Sequence, residues 1–294
     1  LTIMATLSIN EKNEVRDMLK TYCNRYPSQN KAAASLHGVS AGTISSILNG
    51  KYENISDEMF RNIYSQVSTP HQAAGLQIVE TTALHEIIAA MQDAQEWQDV
   101  TWVVGESGCG KTTAASVYQS SHKEVYALLC SEDMKKGDFV RELAAVIGVN
   151  ANGHNIREIL SAIIARIIQM DSPLLIFDEG DKLNDLVFHY FITIYNQLKD
   201  KAGIIFLSTS YIEKRMESGL KHNKKGYQEI NSRIGRKFYK ISKNTANDVY
   251  AVCVANGIKE DKALENIIQD AASYENDMRR VTKKIKIEKK RRAA

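Results

Sequence analysis

No run of apolar residues approaches the roughly 18 that cross a membrane. The amino end Leu1-Thr-Ile-Met-Ala-Thr6 has neither the basic flank nor the long apolar segment of a secretory leader. A cytoplasmic protein with no membrane partner is therefore expected. Cysteine is also scarce: Cys23, Cys109, Cys130 and Cys253 lie far apart with no C-x-x-C pair, which argues against a zinc framework and against a disulfide scaffold. The 7 histidines are equally scattered and are assigned no metal. No internal repeat or low-complexity tract occurs. An N-K-x-D segment of the kind that confers guanine specificity is absent, and so is any LSGGQ-like stretch. What is present is ordinary for a soluble chain of 294 residues, 44% hydrophobic and 25% charged, with room for two or three domains.

The chemistry is concentrated at Gly105-Glu-Ser-Gly-Cys-Gly-Lys-Thr112, which fits G-x-x-x-x-G-K-[ST] at every fixed position. The apolar run Val100–Val104 reads as a buried strand leading into this loop, and Thr112-Thr-Ala-Ala-Ser-Val-Tyr118 as a helix leaving it. In that context Gly105, Glu106, Ser107, Gly108, Cys109 and Gly110 can wrap backbone N–H groups around phosphate, helped by the helix dipole. Lys111 would neutralise the β and γ oxygens, Thr112 would ligate Mg²⁺, and Thr113 follows on the same turn. ATP and Mg²⁺ are the expected cofactors.

A second short apolar run, Pro173-Leu-Leu-Ile-Phe-Asp-Glu179, reads as a central strand that delivers two carboxylates to the sheet edge. Asp178 is expected to hold the metal and Glu179 to polarise the attacking water, which makes the chain an ATPase. Asp181 reads either as a group behind the site or as the N-cap of a helix beginning at Lys182, and the cap fits its position better.

Charge is unevenly spread. From Lys221 onward there are 19 basic and 9 acidic residues, net +10, against net −7 upstream. A basic carboxyl-terminal third on an acidic core points to a polyanion, most simply double-stranded DNA. Lys221, Lys224 and Lys225 in one loop, and the tail from Lys283, are the candidate contacts. The amino-terminal stretch Asn30–Asn49 has a helix-turn-helix pattern: Ala34 at the crossing, Gly38 in the turn, Ser40 as cap, Ile44 and Ile47 facing the core. Its outer face would offer Ser40, Thr43 and Ser46, with Asn49 and Lys51 beyond. It has no Arg or Gln for bidentate base reading, so contact with little sequence discrimination is expected.

The expected division is a helix-turn-helix domain over 1–66, a linker over 67–79, an α/β core over 80–242 and a helical lid with basic tail over 243–294. Strands are predicted at 100–104, 125–129, 174–177, 203–208 and 237–241, alternating with helices.

Together the phosphate loop, Asp178-Glu179, the polar end of Ile204–Ser210, the arginines of Ile230–Arg236 and Asn276-Asp-Met-Arg279 resemble an AAA+ ATPase, a parallel α/β P-loop fold with a helical lid. That resemblance implies Thr209 as sensor 1, Arg233 as arginine finger and Arg279 as sensor 2, with Arg236 and Arg280 as rivals for the last two. The amino-terminal helix-turn-helix, Ile78–Thr82, Asp178–Leu183 and Ser232–Arg236 are most similar to the transposition protein B family of phage Mu. This implies a DNA-binding ATPase that forms homo-oligomeric helical filaments, captures target DNA and activates a transposase. The alternatives are an ATP-regulated helix-turn-helix transcriptional regulator and a helicase-loader-like ATPase.

Overall fold

The amino-terminal segment buries its apolar residues at helical spacing. Val15 and Leu19 on α1 (Ile9–Cys23), Ala32 and Ala33 on α2 (Gln29–Ala34), Ile44 and Ile47 on α3 (Ala41–Leu48) and Phe60 and Ile63 on α4 (Asp57–Val67) close one small core. Ser40 caps α3 by accepting the Thr43 N–H at 3.0 Å, and Gly38 takes the turn before it with φ +72°. The Ala34 side chain, expected at the helix crossing, lies outside the described residues. The computed structural model describes residues 7–23, 26, 28–34, 36, 38–67 and 76–293. Most of the expected linker, 68–75, is likewise outside them. The chain divides into two units, one ending at Leu76 and the other beginning at Gln77.

In the second unit, α5 (Thr82–Trp97) leads into β1 (Val100–Val104), α6 (Lys111–Ser121) into β2 (Val125–Leu129), and α7 (Lys136–Ile147) and α8 (Ile156–Ile168) into β3 (Leu174–Asp178). There follow α9 (Asp185–Leu198), β4 (Gly203–Ser208), α10 (Tyr211–Lys221), α11 (Tyr227–Arg233) and β5 (Tyr239–Lys240). The sheet is parallel throughout in the order β2-β3-β4-β1-β5. The central strands read as continuous apolar runs because both faces are covered. Their side chains alternate accordingly. Trp102, Leu175, Phe177, Ile204 and Phe206 face α7–α11, whereas Val103, Leu174, Ile176, Ile205 and Leu207 face α5 and α6. On the first face Trp102 stacks on Phe206 at 4.2 Å between ring centroids and Phe206 on Phe177 at 5.0 Å. Full burial of such a side chain is worth about 1.5–3 kcal/mol. On the second face α5 lies so close to β4 that a Cβ on Gly203 would fall 2.2 Å from the Ala94 carbonyl oxygen.

The fifth strand is shorter than the expected 237–241, since only Tyr239 and Lys240 pair, with Val103 and Val104. The last helices, α12 (Ala246–Ala255), α13 (Asp261–Ala272) and α14 (Met278–Ala293), bury Val249, Leu264, Ile267, Val281 and Ile285. Asp248 fixes the first of them to the start of α5. Its carboxylate accepts from the Thr82 N–H at 2.8 Å and from the Thr245 N–H at 2.6 Å.

Candidate nucleotide site and basic surfaces

The loop between β1 and α6 bends through Gly108 and Gly110, at φ 77° and 112°, values that a side chain would strain. Lys111 opens α6, and its ammonium donates to the carbonyls of Gly105 at 2.7 Å and Glu106 at 2.9 Å. The charge therefore sits over the loop. Thr112, the next residue, donates its hydroxyl to Asp178 Oδ2 at 2.7 Å, while Asp178 Oδ1 accepts the Glu179 N–H at 3.0 Å. Asp178 is only 4% exposed, and burial pushes its carboxyl upward against the pull of these two hydrogen bonds. β3 extends one residue further than expected, which carries Asp178 to the sheet edge opposite the loop.

These groups line a cleft of about 210 Å³, with Ser107, Gly108, Gly110, Thr113, Glu179 and Thr209 among its walls. Gly105, Glu106 and Cys109 do not line it. Cys109 is buried beneath the loop, and burial raises its thiol. Thr209 directly follows β4 and donates to Asp181 Oδ2 at 2.7 Å, and the Asp181 N–H donates to Ser208 Oγ at 3.1 Å. Asp181 is therefore not a helix cap. It lies in the 3₁₀ turn Gly180–Lys182, and Asn184 caps α9 instead. Glu179, at φ 55°, opens that turn, and its carboxylate is paired with the Lys182 ammonium within the cleft.

The fourth wall comes from the last helix. The Met278 N–H donates to the Gly108 carbonyl at 3.1 Å, and Arg279 Nη1 to Ser107 Oγ at 3.2 Å. A Cβ on Gly108 would strike the Asp277 carboxylate, so this contact requires glycine there. The neighbouring Arg280 takes no part. It forms a two-point ion pair with Asp270 at 2.6 and 2.8 Å and lies 3.7 Å from the Tyr274 ring. Of these two, Arg279 is the one at the cleft.

Residues 94–216 match the family model described as an AAA domain. The chain is 26% identical over 265 residues to the ATP-dependent target DNA activator B of Escherichia phage Mu, covering 87% of this chain and 83% of the relative. It is also 26% identical over 253 residues to the Mu-like prophage FluMu DNA transposition protein B of Haemophilus influenzae, covering 83% and 86%. The solved structure of the Aeropyrum pernix Orc1 protein in complex with DNA aligns with TM-score 0.51 at 15% identity, over 70% of this chain and 59% of that one, a likeness of fold. The second unit carries an AAA domain in a P-loop fold, and the chain is an ATPase. It resembles the Mu-type transposition protein B.

The other expected residues of this ATPase are differently engaged. Arg233 ends α11 and is held within its own chain, Nη2 to Asn196 Oδ1 at 2.9 Å, Nη1 to Glu229 at 3.4 Å, and over the Tyr195 ring at 5.2 Å. Arg236 is exposed on the following loop, in left-handed backbone at φ 59°. Neither lines the cleft of its own chain. In the basic loop Lys221 and Lys225 are exposed, but Lys224 faces Asp185 at 3.6 Å.

In the tail the charge run overstates what is available. Arg280 and Lys284 both lie on Asp270, and Arg292 on Glu260. Lys283, Lys286, Lys289 and Lys290 remain on the solvent side of α14. On α3, Ser40 and Thr43 share a hydroxyl–hydroxyl hydrogen bond of 2.9 Å, Ser46 is half-buried and Lys51 is exposed.

Sequence reasoning missed Lys182, the hub at Ser208, and Thr282, which lines the cleft one turn beyond Arg279. Helical spacing would have found Thr282. Lys182 is three residues from Glu179 in the same turn, a local spacing, whereas Ser208 depends on contacts from β1 and from the turn after β3.

Proposed function

We propose that this ATPase binds Mg²⁺–ATP in the cleft of Lys111, Thr112 and Asp178 and, in that state, holds duplex DNA as a homo-oligomeric filament with little regard to sequence. The filament offers the DNA to a transposase. The observation that carries the reading is the dual use of α14. Arg279 at its start faces the phosphate loop, while Lys283, Lys286 and Lys290 continue along its outer side, so one rigid helix spans the nucleotide site and a polyanion surface. The names of the two phage relatives, a target DNA activator and a transposition protein, support the DNA and transposition parts.

Thr112 and Asp178 are the hard oxygen donors that would hold Mg²⁺, and the ion would neutralise phosphate charge. In this reading Glu179 orients the attacking water, Thr209 reports on the phosphate through Asp181, and Arg279 closes the lid on bound nucleotide. Lys221, Lys224 and Lys225 supplement α14 in contacting phosphates, and Lys51 with the polar face of α3 adds nonspecific contacts. The absence of Arg and Gln on that face favours this over an operator-reading regulator.

The finger in trans is Arg236 rather than Arg233, because Arg233 is already committed to Asn196 and Glu229. Mixing Arg236→Ala with Lys111→Ala subunits should partly restore ATP turnover, as an intact finger can then meet an intact site; a mixture that co-assembles but stays inactive would return the role to Arg233. Electron microscopy with ATP, with and without duplex, tests the assembly. DNA-coated helical filaments are expected, and discrete dimers on one preferred sequence would point to the regulator.

A further inference from the structure

The basic loop is physically tied to the turn that carries Asp181. Arg215, midway along α10, donates from Nη1 to the carbonyl oxygens of Asp181 at 2.9 Å and Leu183 at 2.5 Å. Its Nη2 donates to Asp185 Oδ1 at 2.6 Å, its Nε to the Tyr227 hydroxyl at 3.1 Å, and its carbon Cζ lies 4.2 Å from the centre of the Phe188 ring. Tyr227 donates its own hydroxyl to the same Asp185 oxygen at 2.6 Å. The other oxygen, Oδ2, faces Lys224 Nζ at 3.6 Å. A guanidinium is planar and rigid, so a shift of the carboxylate on one edge moves the carbonyls on the other. Those carbonyls belong to the turn whose Asp181 side chain receives the Thr209 hydroxyl and whose Lys182 covers Glu179.

The links in this chain differ in strength. Burial works to raise the Asp185 carboxyl, but hydrogen bonds from Tyr227 and Arg215, with the charges of Arg215 and Lys224, outweigh it and hold the group below the ordinary carboxylate range. The Arg215 side is short, charge-assisted and mostly buried. The Lys224 side is longer and half exposed, the kind of pair that an incoming phosphate can break at little cost. An anion taking Lys224 leaves Asp185 to Arg215 and Tyr227 alone.

We propose that Asp185 and Arg215 are positioning residues that transmit the engagement of Lys224 by DNA phosphate to the Asp181 turn, and so set the rate of hydrolysis at Glu179. This rests on the DNA reading given above. The experiment compares ATP turnover of the full chain without DNA and at duplex concentrations that saturate binding, with duplex affinity and thermal unfolding measured separately. Asp185→Asn keeps the shape and the acceptor for Arg215 but loses the charge facing Lys224. It should bind duplex within about twofold of the parent and unfold at a similar temperature, yet lose DNA stimulation, falling to less than about twofold, with the change in kcat and not in KM for ATP. Lys224→Met, at an exposed position, removes the same link from the other side and should show the same loss at saturating duplex even if Asp185→Asn fails to fold. Stimulation equal to the parent in either folded variant overturns the coupling while leaving DNA binding intact. A parent protein that neither binds duplex nor responds to it overturns the DNA reading itself, and the coupling with it.

Discussion

The Thr112 hydroxyl donates to Asp178 Oδ2 at 2.7 Å, joining the first turn after the phosphate loop to the end of the interior strand β3. Removing it by Thr112→Val leaves a buried carboxylate short of a donor and takes away one of the two oxygen donors proposed to hold Mg²⁺. A charge-assisted hydrogen bond is worth about 1.5–3 kcal/mol, so affinity for ATP in the presence of Mg²⁺ should fall at least tenfold. Fluorescent ATP titrated with and without Mg²⁺ measures this. The loss should shrink when Mg²⁺ is withheld, and an equal loss in both conditions would assign Thr112 a purely structural part.

The ion pair between Glu179 and Lys182 lies inside the cleft. Glu179→Gln should keep ATP affinity and slow turnover by roughly 10²–10⁴, the range for losing a positioned general base. Lys182→Ala frees the carboxylate without touching the loop, so it should alter kcat and leave KM for ATP within about twofold. Steady-state kinetics on both variants separate the two roles. Undiminished turnover in Glu179→Gln would move the water-orienting role elsewhere.

Much of this architecture is legible without coordinates, for a physical reason. Strands buried on both faces leave uninterrupted apolar runs, and β1, β3 and β4 each end at a polar or glycine-rich site. The phosphate loop is legible because its chemistry depends on neighbours in sequence. Asp181 is different, since its partners Ser208 and Thr209 lie 27 and 28 residues away, and only the pairing of β3 with β4 brings them together. Arg215 is a similar case, with its acceptors spread over α9, α11 and the preceding turn. The choice between Arg279 and Arg280 is one of helix phase. Val281 and Ile285 fix which side of α14 is buried, so the apolar spacing held that information.

Arg280 and Lys284 on Asp270 pin α14 to α13, and the hydrogen bond from Arg280 lowers the Asp270 carboxyl from an ordinary 3.8 to about 2. A carboxyl depressed in the folded state contributes stability that is complete above its unfolded value and is lost as pH falls through the folded one. Lid stability should therefore drop between about pH 4 and pH 2 from this group, and Asp270→Asn should flatten that part of the profile. Thermal unfolding followed across that range checks it. Arg280→Ala should do the same while sparing nucleotide affinity, whereas Arg279→Ala should weaken ATP binding with little effect on the acid profile.

The central claim is that nucleotide in the cleft governs a nonspecific grip on DNA, and duplex affinity of the purified chain, titrated over salt with ATP, with ADP and with neither, tests it most directly. With ATP the log–log slope should correspond to several phosphates neutralised, at about −0.9 per contact, and should be the same on unrelated sequences. Lys111→Ala should lose the ATP-dependent part entirely. Equal affinity with and without ATP, or tight binding confined to one sequence, would contradict the account.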